Sequence, residues 1–181
     1  MEEIVAKINY IDANNFERST YDKSVAIVKE RASVIDDLVN EIVQSHSSEL
    51  DALIKEIRDS IYNNAELADY ELDIFIAKIP LQLYYLSGQL GHLETEESIA
   101  KVTQKIAYNE ARLRAEGTVS DKDSKAEQAV EQETLVTIVF TRAKKCLQDK
   151  RDLSLELLNS LKKIVSRRIS EYEMTRFSNN S

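Results

Sequence analysis

Glycine and proline are nearly missing from this chain, with three Gly and one Pro in 181 residues. All four lie between positions 80 and 117. These residues punctuate turns and all-β folds, so their scarcity excludes a strand-rich protein and predicts an all-α one. Trp is absent and aromatics are 7% of residues, so the core has to be mostly aliphatic. A single cysteine, Cys146, excludes an internal disulfide and suits a reducing compartment. Within the apolar run of a helix, it reads as a small core residue rather than a nucleophile. No apolar run reaches the length of a membrane span. The most apolar stretch, Ile74 to Leu86, is too short and is broken by Lys78 and Pro80. The first residues, MEEIVAKINY, are acidic where a secretory signal needs basic ones, so the expected location is cytoplasmic with no membrane contact.

Catalytic signatures are also lacking. The glycines at 88, 91 and 117 have no lysine placed for a phosphate loop. His46 and His92 have no metal-ligand spacing to a cysteine, and neither completes a Glu-x-x-His pair: Val43 and Gln89 stand three residues before them. Paired carboxylates such as Asp36-Asp37 and Glu96-Glu97 read as solvated helix faces. The expectation is a protein without catalytic residues, metal or cofactor.

Helical periodicity is what the chain has in abundance. Ser124 to Met174 contains no glycine or proline and repeats apolar residues at steps of three, four or seven: Val136, Phe140, Ala143, Leu147, Leu158, Leu161, Val165 and Tyr172. One helix over that span would be roughly 75 Å long at 1.5 Å per residue. Such a stripe needs partner helices from its own chain or from copies of itself. Its soft point is Lys150, Arg151 and Ser154 between Leu147 and Leu158, which fits continuous helix better than a reversal. The predicted architecture is therefore several amphipathic helices with a long C-terminal one, assembled as an oligomeric helical bundle or ring with coiled-coil character.

Earlier in the chain, Ile4, Val5, Ile8 and Ile11 suit a short helix or a docking arm. Ser19 or Thr20 is the expected N-cap of a helix to about Gln44, with Val25, Val28, Ala32, Ile35, Val39 and Ile42 on one face. Ser45-His46-Ser47-Ser48 is expected to interrupt it. A second segment follows with Leu50, Leu53, Ile54, Ile57 and Ile61. Another helix, from near Ala65, carries Leu67, Tyr70, Ile74 and Ala77 to a kink or break at Pro80. The patch Ile79 to Leu86 (IPLQLYYL) reads as core, closed by Gly88 and Gly91. Glu94-Thr95-Glu96-Glu97-Ser98 opens a helix with Ile99, Val102, Ile106 and Leu113, and Ser120 starts the last one.

Charge divides the chain. Residues 1–100 hold 8 Lys+Arg against 20 Asp+Glu, a net of −12, and residues 101–181 hold 16 against 12, a net of +4. This suggests an acidic N-terminal helical region, 1–100, and a basic C-terminal oligomerisation region, 101–181. The basic half either meets an acidic partner such as nucleic acid or is attracted to the acidic half within one oligomer.

From Glu110 onward the order of features is Ala111-Arg112-Leu113, a glycine loop, Lys125 near the start of the long helix, an aromatic-aliphatic stretch, a leucine-rich run and a basic end. This resembles the C-terminal part of the UvsY-type phage recombination mediators over about 65 residues of the 181. In their K-A-R-L element a lysine stands where this chain has Glu110, which weakens that DNA contact; Arg114 partly compensates. The resemblance implies an oligomeric helical ring that binds single-stranded DNA and loads a recombinase onto strands covered by a single-strand-binding protein, in the host cytoplasm. Candidate nucleic-acid-binding residues are Lys105, Arg112 and Arg114 on one surface and Lys162, Lys163, Arg167 and Arg168 on another. The alternative is a non-enzymatic oligomeric structural or scaffolding protein, a virion or assembly component. A third reading, an acidic mimic of nucleic acid, suits the sequence least, because its acidic residues alternate with apolar ones.

Overall fold

The structure is a computed structural model that describes residues 18–63 and 67–179. Every element among the described residues is an α-helix: α1 (Arg18–Asn63), α2 (Asp69–Arg114), α3 (Val119–Ala129) and α4 (Glu131–Asn179). The all-α expectation is met. The expected arm at Ile4 to Ile11 lies outside the described residues. The chain divides into two compact units, Met1–Leu38 and Val39–Ser181. In the first, the helical residues Val28, Val34 and Leu38 are exposed. In the second, α2 and α4 pack along each other with the last part of α1. The change of charge at 100/101 falls inside α2.

Cross-contacts give the directions. Lys78 reaches Glu56 at 3.4 Å, and His46 lies beside Tyr85, so α1 and α2 run antiparallel. Arg168 contacts Asp69 at 2.6 Å, while Gln104 donates to Thr134 at 2.7 Å; α2 and α4 are antiparallel too. Lys150 meets Asp51, and Leu153 and Leu157 flank Ile54, so α1 and α4 run parallel.

Burial follows a seven-residue repeat. On α2 the repeat takes in Leu72, Ile79, Leu86, Leu93 and Ala100, with Leu83, Leu90 and Glu97 at the same spacing. On α4 it takes in Leu147, Ser154 and Leu161, with Phe140 and Arg168 half-buried at either end. Side chains seven residues apart return to nearly the same face, so one face stays against its neighbours over many turns. Val39, Val43, Leu50, Leu53 and Ile57 of α1 complete this core.

Several breaks expected from the sequence are absent, each for a physical reason. Helix α1 already includes Arg18, so neither Ser19 nor Thr20 caps it. It also runs through Ser45 to Ser48. The hydroxyls of Ser45 and Ser47 donate to Ile42 O and Val43 O, both at 2.8 Å, and so satisfy themselves inside the helix rather than capping a new one. Helix α2 begins at Asp69 and passes through Pro80, Gly88 and Gly91 without ending. All three are exposed, whereas the buried repeat from Leu72 to Ala100 is continuous, so packing overrides local propensity. Glu94 to Ser98 therefore lies within a helix and opens none. The face of α2 is also rotated from expectation: Leu67 is buried, but Tyr70, Ile74 and Ala77 are exposed, and Leu72 and Phe75 point inward instead. The patch at 79–86 is split, with Ile79, Leu83 and Leu86 buried and Leu81, Tyr84 and Tyr85 exposed.

The C-terminal helix is continuous through Asp149 to Asn179, as its lack of breakers suggested, but it does not extend unbroken from Ser124. Val130, at φ −106° and ψ 20°, ends α3 and separates it from α4 by one residue. The start of α3 is fixed by Thr118, not Ser120. Thr118 Oγ1 accepts from Asp121 N, while the Asp121 carboxylate accepts from Thr118 N at 3.0 Å. The Thr118 hydroxyl also lies 2.7 Å from the same carboxylate oxygen, and its hydrogen bond, followed by that of the Thr118 amide, holds the Asp121 carboxyl below its ordinary pKa. Gly117 precedes the cap at φ +123°, a conformation that suits glycine alone.

Candidate nucleic-acid interface and polar seams

The seven candidate cations separate into two groups when their partners are traced. Arg112 Nε donates to Asp123 Oδ1 at 2.5 Å, tying α2 to α3, and Tyr108 donates to the same oxygen at 3.3 Å. Desolvation and the Asp123 charge push the Tyr108 hydroxyl up from its usual pKa. Arg114 pairs with Glu110 one turn earlier, at 3.1 Å, so the carboxylate expected to weaken a DNA contact occupies the arginine that was expected to compensate. Arg167 pairs with Glu171 at 3.1 Å. Arg168 turns inward, 21% exposed, and joins α4 to the first residue of α2. Lys105, Lys162 and Lys163 are exposed and form no ion pair among the described residues. The two patches lie on different helices and far apart along the α2/α4 pair, so the fold does not gather the seven into one surface.

Polar groups that periodicity missed form three layers inside the second unit. The first is centred on Glu97, 4% exposed at a core position of α2. Its carboxylate accepts from Lys101 at 2.6 Å and from Thr141 at 3.0 Å, and is also paired with Lys144 of α4. The hydrogen bonds from Lys101 and Lys144 pull its pKa from 4.5 to about 2, outweighing burial, which acts the other way. The Glu97 carboxylate in turn raises the Lys144 pKa. The second layer is Gln104, bonded to Thr134 and Thr137. The third joins α1 to α4: Lys150 Nζ donates to Asp51 at 2.5 Å and to Ser47 Oγ at 3.0 Å, and Ser154 donates to Lys150 O. The serine interruption in α1 and the soft point in α4 are thus the two sides of one polar layer. A buried serine opposite a lysine was the signal, but the sequence offers no way to pair them.

No cluster of three metal-ligating side chains occurs among the described residues. Cys146 is exposed, not core: it precedes buried Leu147 by one residue, which on a helix turns it about 100° away. Likewise exposed is a stripe on α2, Ile99, Val102, Ile106 and Leu113, at steps of three, four and seven. The inward face of the same turns carries Glu97, Ala100 and Gln104. Among the described residues no helix is long and apolar enough to cross a membrane. Compared with protein-family models, with curated proteins and with solved structures, the chain matches none.

Proposed function

We propose that the chain is a non-enzymatic structural protein, a scaffold or assembly component that works by associating with copies of itself. The observation that carries this reading is the exposed stripe on α2. Ile99, Val102, Ile106 and Leu113 are 61%, 58%, 54% and 85% exposed, while polar Glu97 and Gln104 take the buried face. Monomeric proteins seldom leave large apolar side chains aligned over four turns in water. Val136 and Ile138 of α4 are also exposed. The arginines expected to meet nucleic acid have carboxylate partners on their own chain, which further favours a structural role. An exposed thiol at Cys146 fits a reducing, cytoplasmic setting.

Sedimentation velocity on the full chain at micromolar concentration tests the reading. An oligomer is expected, reduced to monomer by Val102→Glu with Ile106→Glu while helical circular dichroism is retained. A wild-type monomer overturns it.

The second reading is a mediator that binds single-stranded DNA and assists a recombinase beside a single-strand-binding protein. It is favoured by Lys105, Lys162 and Lys163, which keep their charge available. It predicts a salt-sensitive shift of a labelled oligonucleotide, weakened when these three are neutralised. No shift at about 50 mM salt, where phosphate contacts are strong, removes it.

A further inference from the structure

We infer that two copies pair along α2, parallel and in register, so that Ile99, Val102, Ile106, Asn109 and Leu113 of one chain meet the same residues of the other. This rests on the self-association reading and adds the surface, the direction and the number of copies. The five residues follow at steps of three, four, three and four, and all are exposed. That is the spacing of the seam of a two-stranded coiled coil. Helix α2 already uses its other side. Glu97, Ala100 and Gln104 stand two residues before Ile99, Val102 and Ile106, about 200° round the helix. Glu97 and Gln104 bond there to α4, so the outer seam is left for a second helix.

The seam has defined ends. His92 and Thr95 continue the spacing upstream without aliphatic bulk, and α2 closes at Arg114, one residue past Leu113. Two heptads are too short to form a stable helix pair from unfolded peptide. Here the helix is already formed and packed on α4, so pairing does not carry the cost of ordering it.

Charge selects the occupant and its direction. In a parallel pair, the residue just before one core position faces the residue five further on in the other helix. Lys105, just before Ile106, then faces Glu110, just after Asn109, and the two-fold axis makes this contact twice. Both side chains are exposed, and Lys105 forms no ion pair among the described residues. Glu110 is paired with Arg114 at 3.1 Å, and a carboxylate accepts from more than one donor. The layers match as well: four are apolar against apolar, and the fifth sets the Asn109 amide against its twin. A single polar layer of this kind fixes register.

An antiparallel pair fails on both counts. With Val102 against Ile106 it sets Ile99 against Asn109 and Leu113 against Thr95, and it brings the two copies of Lys105 together. One heptad along, Ile106 meets Asn109 and Lys105 meets Arg112. The parallel contact is isologous, the same surface on both chains, so it closes at two.

Sedimentation velocity on full-length charge variants tests the pairing, with circular dichroism to confirm native helicity. Lys105→Glu and Glu110→Lys each turn two attractions into two repulsions, and each is expected to weaken the dimer about tenfold. Mixed in equal amounts, the two variants are expected to regain wild-type affinity, because the reversed charges then face each other. The chain carrying both substitutions is expected to regain it alone. Direction is read by Leu113→Cys in a Cys146→Ser background, oxidised with diamide. A disulfide-linked dimer is expected to form faster than the wild-type chain links through Cys146, which lies on α4 outside the seam. In an antiparallel pair the two 113 positions are more than about 15 Å apart at 1.5 Å per residue, and no such link forms. A wild-type monomer at micromolar concentration overturns this pairing and the self-association reading together. A wild-type oligomer larger than a dimer, charge variants that associate as wild type does, or no Leu113→Cys link above the Cys146 rate overturns the parallel pairing and leaves self-association standing.

Discussion

Replacing Glu97 tests the polar interior most directly. Its side chain is 5% exposed and lies at a core position, yet it is held ionised by Lys101 and Lys144 and accepts from Thr141. Glu97→Ala removes all three contacts at once. Breaking a buried ion pair costs about 3–5 kcal/mol when the abandoned charge stays buried. Here Lys101 is 57% exposed and Lys144 21%, so both gain water, and about 2–3 kcal/mol is the reasoned loss. Glu97→Leu separates charge from space. Leucine fills the same core position and buries apolar surface worth about 2 kcal/mol, so that variant is expected close to wild type, closer still with Lys144→Met.

The pH dependence has a defined sign. The folded carboxyl titrates at about 2 against 4.5 unfolded, so its contribution is complete above 4.5 and disappears as pH falls through 2. The stability gap between wild type and Glu97→Gln should therefore narrow over that window. Urea unfolding at several pH values, with slopes compared to exclude changes in the unfolded state, reads all of this. A cost under about 0.5 kcal/mol for Glu97→Ala at pH 7, well below that of a broken buried pair, would refute the reasoning. So would a Glu97→Leu loss equal to that of Glu97→Ala.

Two other substitutions probe the frame. Leu147→Ala, at a side chain with 0% exposure, is expected to lose about 2–5 kcal/mol in the same assay, whereas Ile106→Ala should leave monomer stability within about 0.5 kcal/mol and act only on association. Gly117→Ala should cost about 1–3 kcal/mol by urea unfolding, since φ is +123° and the new Cβ would sit 3.0 Å from Asp121 Cβ and Oδ2, disturbing the cap of α3.

Helix content and the long C-terminal element were legible because they depend on local signals: few glycines, one proline, and a repeat of three and four. Where helices end was less so. Pro80, Gly88 and Gly91 look like stops one residue at a time, but each lies on an exposed face of α2. The penalty of each is smaller than the packing gain of Leu72 to Ala100 on the other face. The candidate cations were legible by type and not by partner. Glu110 and Glu171 are near in sequence to Arg114 and Arg167, so those pairs follow from helical spacing. Asp123 and Asp69, which take Arg112 and Arg168, are brought close only by the packing of α2 on α3 and α4.

The orientation of α2 has the most consequence for function, and spacing alone does not give it. Ile99, Val102, Ile106 and Leu113 recur at helical steps, which does not say whether they face in or out. The fold turns Glu97, Ala100 and Gln104 inward, because Lys144 and Thr134 of α4 stand opposite and satisfy them. A shifted α2/α4 alignment would break the Glu97–Lys144 and Gln104–Thr134 contacts together, so the two pairs favour one register of the helices. Small and polar residues inside then leave the bulky apolar ones outside. The polar seam and the exposed stripe are one feature of the sequence: the chain secures its own alignment with charge and hydrogen bonds, and leaves its larger apolar side chains on the outer face, the surface on which the proposed self-association rests.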